Sequence, residues 1–166
     1  MNCNCSCEAC KQCIDKQVNP GILTPLSQRD PRWRDVQLGF SNLTIGGYGC
    51  YLTSLAMLTG KTPPEVNDIL RAAKCFFGKN FDLIDSTKAA QALGLGFLGI
   101  QYDINKEPSW YPNIKEVDMS PAPGKQQHFV VRFKDTDGRK KIIDPWTGRI
   151  QAIGYYPFVS YRLFRV

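Results

Sequence analysis

The stretch IGGYGCYLTSLAMLTG (45–60) places Cys50 where a Gly-rich turn meets an apolar helical pattern. On the first turn of a helix, the sulfur of Cys50 would lie near unpaired backbone N–H groups and the positive end of the helix dipole, which favour the thiolate. The thiolate is the nucleophilic form of cysteine. The structural alternative is a small buried residue that packs under the helix. The position predicts a nucleophile, provided that the chain also supplies a base and a residue to orient it.

The chain has a single histidine, His128, so this is the one imidazole that could serve Cys50 as a base. His128 begins the predicted strand HFVVRF, and the next predicted strand, KKIID, ends at Asp144. If TDG is a three-residue loop with its glycine in the left-handed conformation, Asp144 faces Val130, and His128 and Asp144 share one face of the sheet. A two-residue loop at 137–138 would place them on opposite faces. Asp144 could instead simply cap the DPWTG turn.

An acyl-transfer site also needs hydrogen-bond donors for the oxyanion that forms when a thiolate attacks a carbonyl. The backbone N–H of Cys50 is one candidate, and a side-chain amide is a common second. Gln28, in LSQRDPRW, precedes Cys50 by a short connection and supplies such an amide. The candidate catalytic residues are therefore Cys50, His128, Asp144 and Gln28.

Helical patterns occupy the first half of the globular sequence. Thr53–Thr59 is predicted to be a helix with an apolar inner side. The segment TPPEVNDILRAAKCFF (62–77) is predicted to be a second helix, with Thr62 as N-cap, Pro63 in the first position and Glu65 completing a capping box. Its expected apolar stripe comprises Val66, Ile69, Leu70 and Ala73. Cys75, near its end, is interpreted as a core or half-buried residue without a catalytic role.

A third, shorter helix in DSTKAAQALGLG is expected to open at Asp85 or Ser86 and to close at Gly94. After Gly94 the spacing becomes that of strands: NIKEVDM alternates with period two, and HFVVRF and KKIID flank the hairpin signal KDTDGR. DPWTGR is a predicted turn, and YYPFVSYRLFRV one or two closing strands. Helices first and strands after predict an α+β fold, with N-terminal helices packed on a C-terminal antiparallel β-sheet.

Three blocks of the chain, LSQRDPRWRDVQLG, LTIGGYGCYLTSLAML and HFVVRF…DGRKKIIDPWTG, carry a family resemblance. Together they resemble the bacteriocin-processing (double-glycine-leader) cysteine peptidases of peptidase family thirty-nine, in particular their stand-alone forms. The resemblance spans roughly residues 25–150. It implies a papain-like cysteine peptidase fold, with Gln28 as the oxyanion-hole residue, Cys50 as the nucleophile, His128 as the general base and Asp144 as the orienting residue.

The chain departs from that family at two places. The family often has Gly-Pro after the cysteine, where this chain has Tyr51 and Leu52, and these bulkier side chains could reshape or narrow the cleft. The segment 101–127 is longer and more irregular than expected; it leads into the predicted strand of His128 and could form a rim of the substrate groove. Whether residues 109–127 form a lid over the site stays open. No exporter-type membrane or nucleotide-binding domain is recognised, so a leader-peptidase role within an exporter is not expected.

The first stretch, MNCNCSCEACKQCIDK, differs from the rest of the chain and carries five of its seven cysteines. We interpret residues 1–21 as a Cys-rich appendage and residues 22–166 as the peptidase domain, because the appendage has too few apolar residues to build a core. The close thiols could bind a structural zinc ion, whereas a thiol-rich tail or disulfides formed after release are alternatives. The candidate metal ligands are Cys3, Cys5, Cys7, Cys10 and Cys13. No cofactor is expected for catalysis.

The bulk composition, with 43% hydrophobic and 22% charged residues, is that of a globular protein. The formal net charge of +6 suits anionic polymers, but the basic residues are dispersed, so no nucleic-acid partner is expected. No transmembrane segment and no signal peptide are recognised. We therefore expect cytoplasmic synthesis, and if the protein leaves the cell, release by a route such as lysis or carriage in a phage particle; the final localisation and the oligomeric state stay open.

The sequence as a whole predicts a cysteine peptidase that cleaves a peptide or amide bond through a Cys50 thioester. Peptidoglycan cross-bridges are the expected substrate of such a bacterial or phage-type enzyme, because positive charge favours contact with anionic walls. A protein-processing peptidase, an amidase and a transferase are alternatives that would use the same thioester. A non-catalytic interaction module with a metal-binding Cys tail is the alternative from a different class of function.

Overall fold

A computed structural model describes residues 23–109, 112–119, 126–152, 154 and 156–166 of the chain. The helices precede the main sheet along the chain and pack on it. A short two-stranded hairpin lies between the third and fourth helices. The helices are α1 (Ile45–Tyr48), α2 (Cys50–Thr59), α3 (Pro63–Ala72) and α4 (Ser86–Leu93). The strands of the hairpin are β1 (Phe76–Phe77) and β2 (Leu83–Ile84).

Six further strands form one antiparallel sheet in the order β3-β8-β4-β5-β6-β7. They are β3 (Gly96–Gln101), β4 (Asn113–Asp118), β5 (Gln127–Lys134), β6 (Lys140–Asp144), β7 (Arg149–Ala152) and β8 (Phe158–Arg165). This arrangement confirms the α+β class predicted from the sequence. Among the helices of the described residues, none is long and apolar enough to span a membrane.

The helix α2 is the central element of the core, and every residue from Tyr51 to Leu58 is buried. It is buried on all sides because it lies between α3 and strand β5 of the sheet. The helix ends at Gly60, whose φ of +66° is the left-handed conformation that glycine adopts without strain. Its start differs from the prediction of Thr53–Thr59, since α2 begins three residues earlier, at Cys50.

The helix α3 begins as predicted, with the Thr62–Glu65 capping box and proline in the first turn. The prediction that it continues to residue 77 is wrong. The helix ends at Ala72, Lys74 takes a positive φ of 52°, and the amide of Cys75 donates back to a carbonyl of the last turn. The chain then turns into β1, and Cys75, which lies beyond the end of the helix, is fully buried, as its interpretation as a core residue predicts.

Two other features of the helices are settled by the structure. Ala73, which was expected on the apolar stripe of α3, is exposed because it lies beyond the last helical residue. The helix α4 confirms its predicted ends: the side chain of Asp85 accepts hydrogen bonds from the Thr87 and Lys88 amides, and Gly94 closes the helix at φ +72°.

The β5–β6 hairpin has the register predicted with a three-residue TDG loop. The pairs Val131–Ile143 and Lys134–Lys140 define that register, and the amide of Asp135 donates to the carbonyl of Arg139 across the loop. Gly138 has a φ of +74°, which is the left-handed conformation that the loop requires. Since side chains alternate along a strand, the register places His128 and Asp144 on the same face of the sheet.

Two features of the sheet differ from the period-two prediction. All residues of β4 are buried, whereas alternation in NIKEVDM predicts one exposed face. The strand lies inside the sheet between β5 and β8, and both of its faces are covered: Ile114 packs with the helices, and Val117 packs in a second cluster on the opposite face. The strand β7 was not predicted; it pairs with β6 beyond the DPWTG turn.

Candidate active site

Cys50 is the first residue of α2, at the junction between the short helix α1 and the core helix. It is half-buried. Gly49 is the N-cap of α2. Because glycine has no side chain, no N-cap side chain accepts a hydrogen bond from the N–H groups of the first turn. A Cβ on Gly49 would lie 2.5 Å from the carbonyl oxygen of Ile45, so the tight turn before Cys50 depends on this glycine. The sulfur therefore sits beside an uncapped helix N-terminus, as the sequence predicts.

His128 is the second residue of β5, and its side chain is almost fully buried. Its Nε2 lies 2.7 Å from Oδ1 of Asp144. Because Nε2 is engaged there, Nδ1 is the ring nitrogen that remains for the hydrogen bond between His128 and Cys50. The hairpin register thus joins the base to the carboxylate, and the position of α2 joins it to the thiol.

The electrostatic surroundings of His128 favour its protonated form. Burial lowers the pKa of the imidazole, but hydrogen bonds and charges from Asp144 and Cys50 outweigh burial and raise it to about 9. Since the ordinary pKa of histidine is about 6.5, the imidazolium is the main form at neutral pH. A charged imidazole between a carboxylate and a thiol is the arrangement that a thiolate–imidazolium pair requires.

Asp144 is completely buried at the end of β6, and three donors satisfy its carboxylate. Oδ1 accepts from His128 and, at 2.8 Å, from the backbone amide of Trp146; Oδ2 accepts from the hydroxyl of Tyr156, also at 2.8 Å. Burial raises the pKa of the carboxyl, but the hydrogen bonds from His128 and Tyr156 outweigh burial and hold it below its usual range. Asp144 therefore both holds the imidazole and caps the DPWTG turn. The two interpretations of Asp144 from the sequence, as an orienting residue and as a turn cap, are compatible.

Gln28 is 1% exposed and lies beside the same site. Its Nε2 donates to the carbonyl oxygen of Gly46 at 3.0 Å, which fixes the orientation of the side-chain amide. Its Oε1 is buried and has no hydrogen-bond partner among the described residues. The second hydrogen of Nε2 has no acceptor in the described part of the chain either, so it is available to an oxygen atom bound in the cleft.

A cleft of about 830 Å³ opens onto Gln28, Cys50 and His128, while Asp144 is buried behind the imidazole. The structure thus brings all four predicted residues to one place. Apolar side chains form part of the lining of this cleft, and we call them the apolar wall. They are Leu38, Phe77, Leu83, Ile84, Phe97 and Ile100. An open cleft with this lining suits a ligand that carries apolar side chains better than a compact polar molecule.

Polar residues also line the cleft. Arg162 is one of them, and its guanidinium pairs at 2.9 Å with Glu116, which also accepts hydrogen bonds from Gln127 and Ser160.

The hydroxyl of Tyr51 lies 2.6 Å from that of Ser86, and burial raises the pKa of the Tyr51 hydroxyl to about 12, so it is a neutral phenol. The segment that precedes His128 also lines the cleft, through Met119, Gln126 and Gln127.

Sequence reasoning missed Tyr156 and Trp146 as parts of the site. Tyr156 lies between β7 and β8, and its hydroxyl reaches Asp144 only because these strands return along the same sheet. Spacing alone gives no signal for such a contact. Trp146 was visible in DPWTG, where its amide, two residues after the aspartate, has the geometry of an Asx-turn. That signal could have identified Trp146 as a neighbour of the site.

The metal site predicted from the sequence does not involve these four residues, and it stays a prediction. Within the described residues, no group of three or more His, Cys, Asp or Glu side chains is placed to hold a metal ion. The predicted ligands Cys3, Cys5, Cys7, Cys10 and Cys13 lie outside the described residues.

Comparisons of this chain with protein-family models, with curated proteins and with solved structures find no match.

Proposed function

We propose that this protein is a cysteine peptidase with a papain-like arrangement of catalytic residues, in which Cys50 attacks a peptide or amide carbonyl. The observation that carries the proposal is the hydrogen-bonded series from Asp144 through His128 to Cys50, which opens onto the cleft at the start of a helix. A structural cysteine has no need of an imidazole held by a buried carboxylate.

Acylation follows from the positions of these groups. In the resting pair His128 already holds the proton of Cys50. The thiolate sulfur forms a bond to the substrate carbonyl carbon while the C=O π electrons move to oxygen. The oxyanion then collapses, the C–N bond breaks, and the imidazolium of His128 gives its proton to the departing amine. The product is a thioester on Cys50 and a free amine.

Deacylation uses the same groups with water as the nucleophile. His128 accepts a proton from the water molecule as its oxygen attacks the thioester carbonyl. The C–S bond breaks, the acid product leaves, and Cys50 returns as a thiolate beside the imidazolium. Asp144 keeps the ring oriented through both steps, because its Oδ1 holds Nε2 and thereby leaves Nδ1 toward the sulfur.

The oxyanion of each step needs donors that are in place before the reaction. Gln28 supplies an Nε2 hydrogen whose direction is set by the bond to Gly46, and the uncapped first turn of α2 supplies the amide of Cys50. Both donors are rigid, since Gln28 is buried and Cys50 begins the core helix.

For the substrate, we propose a peptide bound in extended form. A peptidoglycan cross-bridge, as cut by a bacterial or phage-type endopeptidase, is consistent with the net charge of +6. The apolar wall around Phe77, Leu83 and Phe97 favours a second candidate, the processing of a polypeptide with apolar side chains near the cleaved bond.

The test is alkylation of Cys50 by iodoacetamide across a pH series, with mass spectrometry to resolve individual cysteines. We expect Cys50 to react well below the pH at which ordinary thiols react, and His128→Ala to remove this reactivity. Cys75 is an internal control, because it is buried and burial raises the pKa of its thiol. Thr136→Ala, in the exposed hairpin loop, is the control variant.

An inert Cys50, or one that reacts alike with and without His128, would contradict the proposal and favour a non-catalytic interaction module. If the ion pair is present, hydrolysis of purified peptidoglycan and of a peptide mixture by wild type and Cys50→Ala identifies the substrate. Hydrolysis that persists in Cys50→Ala would also contradict the assignment.

A further inference from the structure

A second depression of about 690 Å³ adjoins the catalytic cleft. Gly47 and Trp146 line both, so the two form one continuous surface that passes over the Trp146 ring. We call this second depression the arginine trough; its lining side chains are those of Arg29, Arg34, Asp35, Thr44, Trp146, Thr147 and Arg149.

The charge of the arginine trough is strongly positive. Arg29 and Arg34 come from one N-terminal segment and Arg149 from β7, and all three line one depression, whereas Asp35 is its single acidic side chain. Asp35 pairs with Arg34 at 3.3 Å. Arg29 and Arg149 have no acidic partner among the described residues, and the guanidinium of Arg29 stacks on Trp146 with 4.7 Å to the ring centroid. Two uncompensated cations therefore lie where the catalytic cleft ends.

Trp146 relates the trough to the imidazole from which a leaving group would take its proton. The amine that leaves must be next to His128, because it takes its proton from that ring. Oδ1 of Asp144 accepts from both His128 and the backbone amide of Trp146, and both residues line the cleft, so Trp146 is a neighbour of the imidazole in the cleft lining. A chain that continues from the departing amine over Trp146 enters the trough.

We propose that the arginine trough binds carboxylates carried by the leaving-group part of the substrate, within the first few residues after the cleaved bond. Arg29 and Arg149 pair with these carboxylates, and Trp146 supports the chain between them and the thiol. This specificity rests on the proposed peptidase function, but binding of acid by the trough can be measured without catalysis.

The binding test uses the full chain with Cys50→Ala and a fluorescein-labelled hexaglutamate peptide, followed by fluorescence anisotropy. We expect Arg29→Gln/Arg149→Gln to weaken binding about tenfold, since each exposed ion pair contributes modestly. Arg139→Gln/Arg165→Gln removes the same charge from exposed positions outside both depressions and should change binding by less than about twofold.

Equally weakened hexaglutamate binding in the two double variants would overturn the proposal, because the affinity would then depend only on the net charge of the protein. Equal binding of hexaglutamine and hexaglutamate would overturn it as well. Tighter binding of hexathymidylate than of hexaglutamate would assign the trough to phosphate polymers and contradict the acidic peptide.

The cleavage test profiles the bonds cut in a peptide mixture by mass spectrometry. We expect Asp and Glu to be enriched after the cleaved bond for wild type and for Arg139→Gln/Arg165→Gln, and not for Arg29→Gln/Arg149→Gln. Cys50-dependent cleavage without any acid preference would overturn the trough while leaving the peptidase intact. Absence of cleavage with selective hexaglutamate binding would contradict the peptidase and leave the trough as an acid-binding surface.

Discussion

The backbone amide of Gln28 donates a 2.7 Å hydrogen bond to the carbonyl oxygen of Pro145. Pro145 follows Asp144 directly, so the proposed oxyanion donor is attached to the turn that carries the carboxylate. The indole of Trp33 donates to the carbonyl of Ser27 at 2.8 Å and holds the same segment from its other side. The backbone of Gln28 is therefore joined directly to the turn that follows Asp144, although the two residues are far apart in the sequence.

Gln28→Ala should separate binding of the oxyanion from activation of the thiol. Hydrolysis requires a stabilised oxyanion, and loss of one donor typically lowers kcat by about 10²–10³. Alkylation by iodoacetamide displaces iodide at a saturated carbon and forms no oxyanion, so the alkylation rate of Cys50 should stay within about twofold of wild type. Gln91→Ala, on the exposed side of α4, is the matched control. A parallel fall of both rates in Gln28→Ala would mean that Gln28 acts by positioning Cys50.

Tyr156→Phe should weaken the support of the buried carboxylate. The change removes the donor to Oδ2 of Asp144, and a hydrogen bond to a charged group contributes about 1.5–3 kcal/mol. Because Tyr156 is half-exposed, a water molecule can replace part of the lost hydrogen-bond energy. We therefore expect the free energy of unfolding by urea to fall by about 1 kcal/mol. Tyr102→Phe, at a tyrosine that is 68% exposed, should cost nothing measurable. Equal stability of both variants would contradict a structural role of the Tyr156 hydroxyl.

Much of the site could be predicted because the signals are local. The TDG loop determines the hairpin register, and the register alone brings His128 and Asp144 to one face. The position of Cys50 on the first turn of a helix follows from the glycines before it and the apolar run after it. These are short-range rules in which a few neighbouring residues decide the geometry.

The rest depends on contacts between residues distant in the chain. Nothing in the sequence near Tyr156 indicates that its hydroxyl meets Asp144, because that contact depends on how β7 and β8 return along the sheet. The helix α3 was predicted too long because Phe76 and Phe77 continue an apolar pattern, whereas the structure uses them in a strand. Period two failed for β4 since both faces of an interior strand are covered.

Stability should fall with rising pH through the titration of His128. Its pKa is raised from 6.5 to about 9, so the folded state holds the proton more tightly than the unfolded state. The contribution of this proton is complete below about pH 6.5 and is lost as the pH rises through about 9. We expect the free energy of unfolding of wild type to decline across this window, and that of His128→Gln to decline less. The same slope in both proteins would contradict the raised pKa.

At acidic pH the stability should instead rise with pH, and the group responsible should be Asp144. The pKa of Asp144 is held below 3.8, so its contribution is present above about pH 4 and is lost as the pH falls further. Asp144→Asn removes this titration while keeping the size of the side chain. We expect the unfolding free energy of wild type to fall more steeply than that of Asp144→Asn below about pH 4. Exposed Asp137, replaced by Asn, is the matched control for the change from carboxylate to amide.

Gly49→Ala should disturb the start of α2, the helix that carries Cys50, whereas Gly47→Ala should not. A Cβ on Gly49 would lie 2.5 Å from the carbonyl oxygen of Ile45, which is backbone and cannot rotate away. A Cβ on Gly47 would meet only the Thr44 hydroxyl at 3.5 Å, an ordinary contact. Because overpacking typically costs about 1–3 kcal/mol, Gly49→Ala should lower the unfolding free energy by about that amount.

The same glycine pair also tests whether the turn positions the thiol for His128. If the backbone shifts to admit the methyl group of Gly49→Ala, α2 starts in a different place and Cys50 loses its alignment with the imidazole. Alkylation of Cys50 near neutral pH should then slow by about tenfold or more, while Gly47→Ala stays close to wild type. Wild-type stability and wild-type alkylation in Gly49→Ala would show that the turn tolerates a side chain, and would contradict the conclusion that it sets the position of the nucleophile.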